Sequence, residues 1–463
     1  MALMHSAYAE LWIPSIFQSG MVLQCQKPVP VWGEAAPGSE VTVTFAGQTQ
    51  TAVADFSRHW RLVLDPMDAS MTPGEMIISS NHGDSTVRLT DVLVGEVWVL
   101  SGQSNMGWPL GRCEGGPEAA SQADYPWLRV FKQWPNQGAC DEPAKDVKGG
   151  QWVTCNPKYA AELSGVGFFF ARALKDHLSS DTPIALINTG MGGTYAESWL
   201  SLDRIETNSP LRAKQARDIA SGNYTTNFWG ENYFRRPSAL YNGKVVPVQP
   251  FAARGVIWYQ GEGDSAYWAV EHYNRTLTSL INCWRDGWGQ EDLPFFIIQL
   301  PRYDAGAGGK WPKLRAAQEK TAREMENVEL VVTIDCGEKE HIHPADKQPV
   351  GERLALMARA KVYGENIPCE GPFFQTLETS DSAVYITFSN SDGLHMKGTG
   401  GFEICGADGN FVPAEAEVLK DDRVKVFSSE VSEPSAVHYA WFNWGEVCLF
   451  NENGLPAAPF TTE

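Results

Sequence analysis

The chain has 463 residues, which is too long for one hydrophobic core and indicates about three domains of ordinary size. Its formal net charge of −19 argues against a polyanionic partner, so we expect it to bind neither nucleic acid nor an anionic membrane surface. No apolar run approaches the roughly 18 residues that a membrane-spanning helix needs, so no membrane span is expected. A neutral or small ligand fits better, and the 17 tryptophans suit a sugar, which commonly lies against an aromatic ring.

The cysteines and the first residues bear on the cellular compartment. None of the nine cysteines forms a C-x-x-C pair that would indicate zinc or a redox couple, and their spacing leaves any disulfides open. Residues 7–9 (Ala-Tyr-Ala) resemble the small-x-small end of a secretory signal, although only six residues precede them. We therefore expect a periplasmic or secreted protein and leave a cytoplasmic location open. The oligomeric state is equally open.

The first predicted region is a small β-sandwich over residues 10–91. Apolar and polar side chains alternate along residues 41–45 and 60–64, which is typical of strands with one buried face. Dipeptides that end in glycine begin at residues 37, 46 and 73, and they indicate turns between these strands.

The second predicted region, residues 92–368, has a different character. Five mostly continuous apolar runs suit strands that are covered on both faces, and they lie at residues 93–100, 184–188, 255–259, 295–300 and 330–334. Helical periodicity separates them and is clearest at residues 166–177, where Ser164 precedes the first turn as a candidate cap. Strands that alternate with helices predict a parallel, doubly wound α/β sheet.

The third predicted region, residues 369–463, returns to alternation. Residues 384–389, 424–426 and 437–441 have the strand pattern, and the turns at residues 407–409 and 420–422 have hairpin chemistry. We therefore predict a second domain of β-sandwich type after the α/β region.

Polar residues follow four of the five apolar runs. Ligands of an open parallel sheet bind beyond the carboxyl ends of its strands, so these residues are compared as one set. The first run is followed by Ser104 in a Gly-Gln-Ser-Asn turn, and the fifth by Asp335 and, further on, His343. The second run is followed by residues 189–194 (Thr-Gly-Met-Gly-Gly-Thr), and the third by residues 260–264 (Gln-Gly-Glu-Gly-Asp).

This set contains the parts of a serine hydrolase. A serine becomes a nucleophile when a base takes its proton, and histidine has a suitable pKa at neutral pH, so Ser104 and His343 are the candidate pair. Acyl transfer builds negative charge on the carbonyl oxygen, which preformed N–H donors stabilise. The candidate donors are the Ser104 N–H, a glycine N–H from Gly192 or Gly193, and the Gln260 amide. An isolated turn serine could equally cap a helix, and the other strand-end residues are what favour catalysis at Ser104.

The same motifs resemble the four blocks of the SGNH hydrolase superfamily, most closely the sialate O-acetylesterase family. The similarity covers nearly the whole chain, and the matching segments are residues 21–33, 102–105, 188–194, 258–262, 342–348 and 454–460. The resemblance implies a flavodoxin-like, doubly wound hydrolase fold flanked by two β domains. It also implies a nucleophile at Ser104, a base at His343 and an oxyanion hole of Ser104, Gly193 and Gln260. The implied activity is removal of acetyl groups from sugar hydroxyls.

The acid that would orient the base is less well defined. Many relatives have Asp two residues before the histidine, whereas this sequence has His341 there, and a neutral or cationic ring does not stabilise an imidazolium as a carboxylate does. Glu340 is our first choice, because the wider superfamily uses a spacing of three residues before the base. Asp335, or a Ser–His dyad oriented by a backbone carbonyl, stays open. His341 and His343 lack a further ligand at a metal-binding spacing, so we expect no metal or other cofactor.

Substrate contacts are assigned to side chains next to these motifs. Trp108 offers an aromatic face to a sugar, and Asn105 and Glu262 offer polar contacts from the first and third motifs. Core packing is the alternative for Trp108, and Glu262 could instead belong to a carboxylate pair or only fix its loop. Residues 224–234, rich in Asn and aromatic side chains, are further candidates.

The sequence thus predicts a serine esterase that removes O-acetyl groups from a carbohydrate through an acetyl-serine intermediate. Sialic acid and plant polysaccharides such as xylan or xyloglucan are all compatible as the sugar. One alternative is a carbohydrate-binding protein with a degenerate hydrolase centre, which would release no acetate. Another is an SGNH esterase that acts on other short acyl esters.

Overall fold

The computed structural model describes residues 11–82, 85–134, 137–208, 217–218, 221, 234–265, 269–306 and 310–463. Of the predicted sugar contacts, residues 224–233 lie outside the described residues. No helix within the described ranges has the length and apolar character needed to cross a bilayer. All nine cysteines lie within these ranges, and each is a free thiol, so the disulfide question left open by their spacing is answered.

Six strands form the amino-terminal region. They are β1 (Val22–Gln24), β2 (Val29–Glu34), β3 (Glu40–Phe45), β4 (Gln48–Val53), β5 (His59–Leu64) and β6 (Ser70–Ser80). β2 and β5 pair antiparallel with each other, whereas β3 pairs antiparallel with both β4 and β6. Every second side chain is buried along β3 and β5, so the alternation predicted there is confirmed.

One long strand, β7 (Thr86–Gly102), belongs both to this region and to the central sheet. Its first part pairs antiparallel with β6, a short middle part pairs parallel with β1, and its last part pairs with two central strands. Asp91 has a φ of +56° close to the place where the partners change. The domain boundary predicted between residues 91 and 92 therefore falls inside a strand.

The central sheet is mostly parallel. Besides β7 it contains β8 (Tyr125–Lys132), β9 (Gln151–Cys155), β10 (Ile184–Asn188), β11 (Gly255–Tyr259), β12 (Phe295–Ile298) and β13 (Val328–Val331). Their order is β13-β12-β11-β7-β10-β8-β9, and of these strands only β9 runs antiparallel to its neighbour. Almost every side chain of β10, β11 and β12 is buried, as expected for strands covered on both faces. The predicted parallel sheet is confirmed, with the five apolar runs at β7 and at β10 to β13.

The α-helices of the described residues surround this sheet. They are α1 (Gly116–Gln122), α2 (Gly165–Lys175), α3 (Leu202–Asn208), α4 (Tyr273–Trp288), α5 (Trp311–Glu324) and α6 (Gln348–Lys361). α2 packs against α6, and α4 packs against α5. Gly351 of α6 permits the contact between α2 and α6, because a Cβ there would lie 2.5 Å from the Cβ of Phe169. Ser164 caps α2 as predicted, since its Oγ accepts a hydrogen bond of 3.1 Å from the Gly167 N–H.

Short antiparallel strands build the carboxyl-terminal region. They are β14 (Phe373–Ser380), β15 (Ala383–Ser389), β16 (His395–Met396), β17 (Phe402–Cys405), β18 (Val412–Pro413), β19 (Glu415–Val418), β20 (Val424–Phe427), β21 (Ala436–Tyr439), β22 (Leu449–Phe450) and β23 (Phe460–Thr461). Two four-stranded sheets have the orders β14-β15-β20-β19 and β18-β17-β21-β23, and β16 pairs with β22. Arg315 of α5 attaches this region, because its buried guanidinium donates to the carbonyls of Ala440 and Phe442.

Candidate active site

Ser104 lies in the turn that follows β7. The strand ends at Gly102, whose φ is +124° and where a Cβ would lie only 2.1 Å from the carbonyl oxygen of Tyr259. The N–H of Gln103 donates to the same carbonyl at 2.9 Å, which ties the turn to β11. Because only glycine adopts this conformation and tolerates this approach, the Gly-Gln-Ser sequence turns the chain out of the sheet and leaves Ser104 half-buried at its edge.

His343 reaches Ser104 from the loop between β13 and α6. Its Nε2 lies 2.7 Å from Ser104 Oγ, although 239 residues separate the two in sequence. The indole of Trp108 stacks on the imidazole, with ring centroids 4.6 Å apart and an angle of 13° between the planes. The predicted nucleophile and base are therefore in hydrogen-bond contact.

The surroundings of His343 favour its neutral form. Partial burial lowers the pKa of its imidazole below the usual value, and the positive charge of Lys347 lowers it further. A neutral imidazole is the form that accepts a proton from a serine hydroxyl. The pair is therefore in the protonation state that nucleophilic attack requires at neutral pH.

No carboxylate within the described ranges contacts His343. Glu340, predicted as the orienting acid, is exposed, because the loop keeps residues 339–341 at the surface and turns inward only at Ile342. Asp335 instead makes a two-fold ion pair with Arg353, with both N–O distances at 2.6 Å. The structure thus brings neither acid to the imidazole, whose hydrogen bond among the described residues is the one with Ser104.

Asn105 is buried beneath the pair and is engaged by protein atoms. Its Nδ2 donates to Glu262 Oε1 at 2.5 Å and to the carbonyl oxygen of Ile342 at 2.9 Å. Its Oδ1 accepts a hydrogen bond of 2.6 Å from Lys347 Nζ. The structure therefore does not place Asn105 and Glu262 where a substrate reaches them, contrary to their assignment as substrate contacts, because both are buried and joined to each other.

Lys347 is the residue of this site that the sequence analysis missed. Its side chain is 1% exposed, and burial lowers its pKa to about 8, while the negative charge of Glu262 acts in the opposite direction. Burial likewise raises the pKa of Glu262. Lysine is among the residues least often buried, so nothing in its type indicated this position. The available signal was its place four residues after the candidate base.

Backbone N–H groups from two loops surround Ser104. A Cβ at Gly192 would lie 3.3 Å from the Cβ of Ser104, so the loop after β10 passes directly against the serine. Gly193 follows with a φ of +69°, and its carbonyl accepts a hydrogen bond of 2.6 Å from Arg235 Nε. The N–H groups of Ser104, Gly192 and Gly193 donate to no acceptor in the described part of the chain. Gly192 thus lies next to Ser104 in space, and the predicted donor Gly193 follows it in the same loop.

The Gln260 amide, the third predicted donor, is directed into the protein. Its Nε2 donates to the Thr194 carbonyl at 3.0 Å and to Asp264 Oδ2 at 2.5 Å, and its Oε1 accepts from the Tyr273 hydroxyl at 2.8 Å. Two acceptors therefore occupy both N–H groups of the amide, which leaves none for an oxyanion. In this geometry Gln260 joins the third motif to the loop after β10.

A cavity of about 700 Å³ lies beside the serine turn, over the carboxyl ends of β8 and β10. Gly107 borders it from the serine loop, and Gly190 borders it from the loop that carries Gly192. Its polar lining includes Arg112, Lys132 and Asn188. Both its size and its place at the strand ends are typical of small-ligand pockets in parallel sheets.

Similar proteins are found among both sequences and solved structures. Residues 94–359 match the family described as carbohydrate esterase, sialic acid-specific acetylesterase. The chain is 29% identical to the sialate O-acetylesterase of Mus musculus, over 97% of this chain and 94% of that protein. It is also 29% identical to the Homo sapiens sialate O-acetylesterase, over 96% and 91% of the two chains.

The structural similarity is equally extensive. The crystal structure of a novel carbohydrate acetylesterase from Xanthomonas citri matches with a TM-score of 0.87 and 33% identity, over 98% of this chain and 99% of that one. The family match spans more than half of the sequence and includes both Ser104 and His343. The chain therefore belongs to the carbohydrate esterase family of sialic acid-specific acetylesterases, and it is a carboxylic ester hydrolase.

Proposed function

We propose that this enzyme removes acetyl groups from the hydroxyls of a carbohydrate through an acetyl-serine intermediate on Ser104, with His343 as base and acid. The observation that carries the proposal is the 2.7 Å contact between His343 Nε2 and Ser104 Oγ. The lowered pKa of His343 supports it, because the base must be unprotonated before the serine attacks.

In the first half of the reaction, His343 Nε2 takes the hydroxyl proton while Ser104 Oγ bonds to the acetyl carbonyl carbon. The oxyanion that forms is assigned to the N–H groups of Ser104 and of Gly192 or Gly193, and removal of one such donor costs roughly 3–4 kcal/mol in other hydrolases. The bond between the carbonyl carbon and the sugar oxygen then breaks. The imidazolium returns its proton to that oxygen, and the sugar leaves as an alcohol.

In the second half, a water molecule attacks the acetyl group on Ser104 while His343 accepts a proton from the water. The carbon–Oγ bond breaks, Oγ takes the proton back, and acetate leaves. The imidazolium forms twice in this cycle, and no carboxylate of the described residues lies against it. Its orientation is therefore assigned to the stacked Trp108 ring and to the hydrogen bond that Asn105 makes with the loop.

The sugar is assigned to the cavity beside the serine turn. The guanidinium of Arg112 lies over the Trp108 ring at 5.6 Å, lines this cavity and makes no ion pair with a described residue. It is suited to the carboxylate of an acidic sugar, and the mammalian relatives are named for sialate esters. The Xanthomonas citri relative is named only for a carbohydrate, so a neutral acetylated glycan is the second candidate.

Acetate release by wild-type and Ser104→Ala proteins tests the proposal. We expect the wild type to hydrolyse p-nitrophenyl acetate and an O-acetylated sugar, and Ser104→Ala to lose about 10³-fold or more. Mass spectrometry of the rapidly quenched wild type should find one added acetyl group on the Ser104 peptide. The ratio of kcat/KM for acetylated sialic acid to that for acetylated xylan identifies the substrate class.

The control is Ser121→Ala, which removes an exposed hydroxyl from α1 and should leave the rate unchanged. A wild type that releases no acetate would contradict the proposal. So would a Ser104→Ala protein that keeps the wild-type rate.

A further inference from the structure

Lys347 occupies a buried position beneath the catalytic pair, and the steps above do not use it. Its ammonium donates to Asn105 Oδ1 at 2.6 Å and lies 5.5 Å from the centroid of the Tyr259 ring. It directly precedes α6, so the helix fixes its backbone. Burial of an ammonium group is costly, and among the described residues this one has no carboxylate within ion-pair distance to offset the loss of water.

The Asn105 amide connects Lys347 to the catalytic loop. An ammonium group can only donate, so it fixes Oδ1 as the end of the amide that faces Lys347 and directs Nδ2 to the other side. There the two N–H groups of Nδ2 reach Glu262 and the carbonyl oxygen of Ile342, the residue before His343. Without Lys347, Oδ1 loses its donor, and the amide is held from one side only, by Glu262 and the Ile342 carbonyl.

We propose that Lys347 is a positioning residue, which holds the imidazole of His343 against Ser104 through the Asn105 amide. The inference rests on the proposed function, because it concerns the geometry of the same reaction. In hydrolases with a full triad, a carboxylate orients the histidine directly. Here the orientation passes through the backbone of Ile342 on one side and the Trp108 ring on the other.

The charge of Lys347 has a second effect that can be separated from its hydrogen bond. It lowers the pKa of His343 beyond what burial does, because a nearby cation disfavours the imidazolium. Ser104, which hydrogen-bonds to the imidazole, and Trp108, which stacks on it, are both uncharged. The carboxylates of Glu262 and Glu338 raise the pKa of Lys347 itself. The nearby thiols of Cys113 and Cys336 are neutral at neutral pH, because burial raises their pKa to about 11 and about 12.

Glu262 is the main counter-charge in this network. It is first among the charged groups that act on Lys347, and its Oε2 is buried without a hydrogen-bond partner among the described residues. The ammonium and the carboxylate thus stabilise each other across the Asn105 amide. A change at Lys347 therefore alters both the orientation of the amide and the electric field at His343.

Two substitutions separate the hydrogen bond from the charge. Lys347→Met removes both, whereas Lys347→Gln keeps an N–H donor for Asn105 and removes only the charge. Lys320→Met, at an exposed position of α5, is the matched control. Each full-length protein is assayed with p-nitrophenyl acetate for kcat and KM across a range of pH, together with circular dichroism and thermal unfolding.

We expect Lys347→Met to lower kcat by about 10- to 100-fold with little change in KM, because a poorly oriented base slows proton transfer without weakening substrate binding. Lys347→Gln should keep most of the wild-type kcat. In both variants the acid limb of the kcat/KM profile should move to higher pH, because His343 loses the neighbouring cation. Lys320→Met should behave as the wild type.

A folded Lys347→Met protein with wild-type kcat would overturn the inference. Equal losses in both variants with the acid limb in its wild-type place would also overturn it, because a purely structural role predicts that result. If Lys347→Met does not fold, the test is the kcat/KM profile of Lys347→Gln. An acid limb at higher pH than in the wild type supports the inference, and an unchanged acid limb overturns it. An inactive wild type, or an active Ser104→Ala, would instead contradict the proposed function.

Discussion

Trp108 lies face to face with the imidazole of His343, and the guanidinium of Arg112 lies over the same indole ring. Aromatic stacking of this kind contributes about 0.5–1.5 kcal/mol beyond the area that it buries. The ring is therefore placed to restrain the base. The sequence suggested instead that the Trp108 ring contacts a sugar. The imidazole of His343 already covers part of that ring.

Substitution of Trp108 distinguishes these two roles. We expect Trp108→Ala to lower kcat by roughly 2- to 10-fold on both p-nitrophenyl acetate and an acetylated sugar, since the stacking energy is lost in either reaction. Trp108→Phe, which keeps an aromatic face, should lose less. An effect confined to the KM of the acetylated sugar would instead identify Trp108 as a sugar contact.

Single residues show where sequence reasoning succeeds and where it stops. Ser104 and His343 could be found because each follows a strand of one parallel sheet, and such strand ends converge at one edge. Glu340 could not be excluded, because spacing along a loop does not fix the direction in which a side chain points. The roles of Asn105 and Lys347 depend on burial, which comes from tertiary packing and leaves no trace in residue type.

At the scale of elements, the serine turn is supported from below by α2. Ser164 caps this helix and also donates from its hydroxyl to the Met106 carbonyl at 2.6 Å, two residues after Ser104. The predicted helix start was recognisable from a serine before an apolar period. The hydrogen bond from the Ser164 hydroxyl to the Met106 carbonyl could not be recognised, because the two residues are 58 positions apart in sequence.

Removal of this hydroxyl should weaken both the helix and the turn. We expect Ser164→Ala to lower the free energy of unfolding by about 1–2 kcal/mol, since a cap is lost and the buried Met106 carbonyl loses a donor. Thermal denaturation measures the change, and Ser164→Thr, which keeps a hydroxyl, is the matched control. A Ser164→Ala protein with wild-type stability would show that neither bond contributes.

At the scale of the whole molecule, β7 joins the amino-terminal strands to the catalytic sheet without a linker. The alternation within residues 10–91 and the continuous apolar run at residues 93–100 made two separate regions plausible. Periodicity reports which face of a strand is buried but not which strands pair with it. The bounds of β10 and β11, in contrast, match the predicted runs, because both ends of each run are marked by proline, glycine or a polar residue.

The shared strand predicts coupled unfolding. Ile78 is fully buried on β6, in the amino-terminal region, and Ile78→Ala should cost about 2–5 kcal/mol. We expect the denaturant midpoints for loss of esterase activity and for tryptophan fluorescence to fall by the same amount. Val53→Ala, at an exposed position, should change neither. A separate early transition that leaves activity intact would show that the amino-terminal strands unfold alone.

The nine unpaired thiols make this enzyme convenient for site-selective labelling. Six of them are buried. Burial also raises the pKa of the three half-buried thiols, those of Cys140, Cys336 and Cys369, so they carry little reactive thiolate at neutral pH. Phe56 lies in the turn between β4 and β5 with its side chain fully exposed. A Phe56→Cys substitution would therefore present one accessible sulfur to a maleimide dye, and the native cysteines would not first have to be replaced.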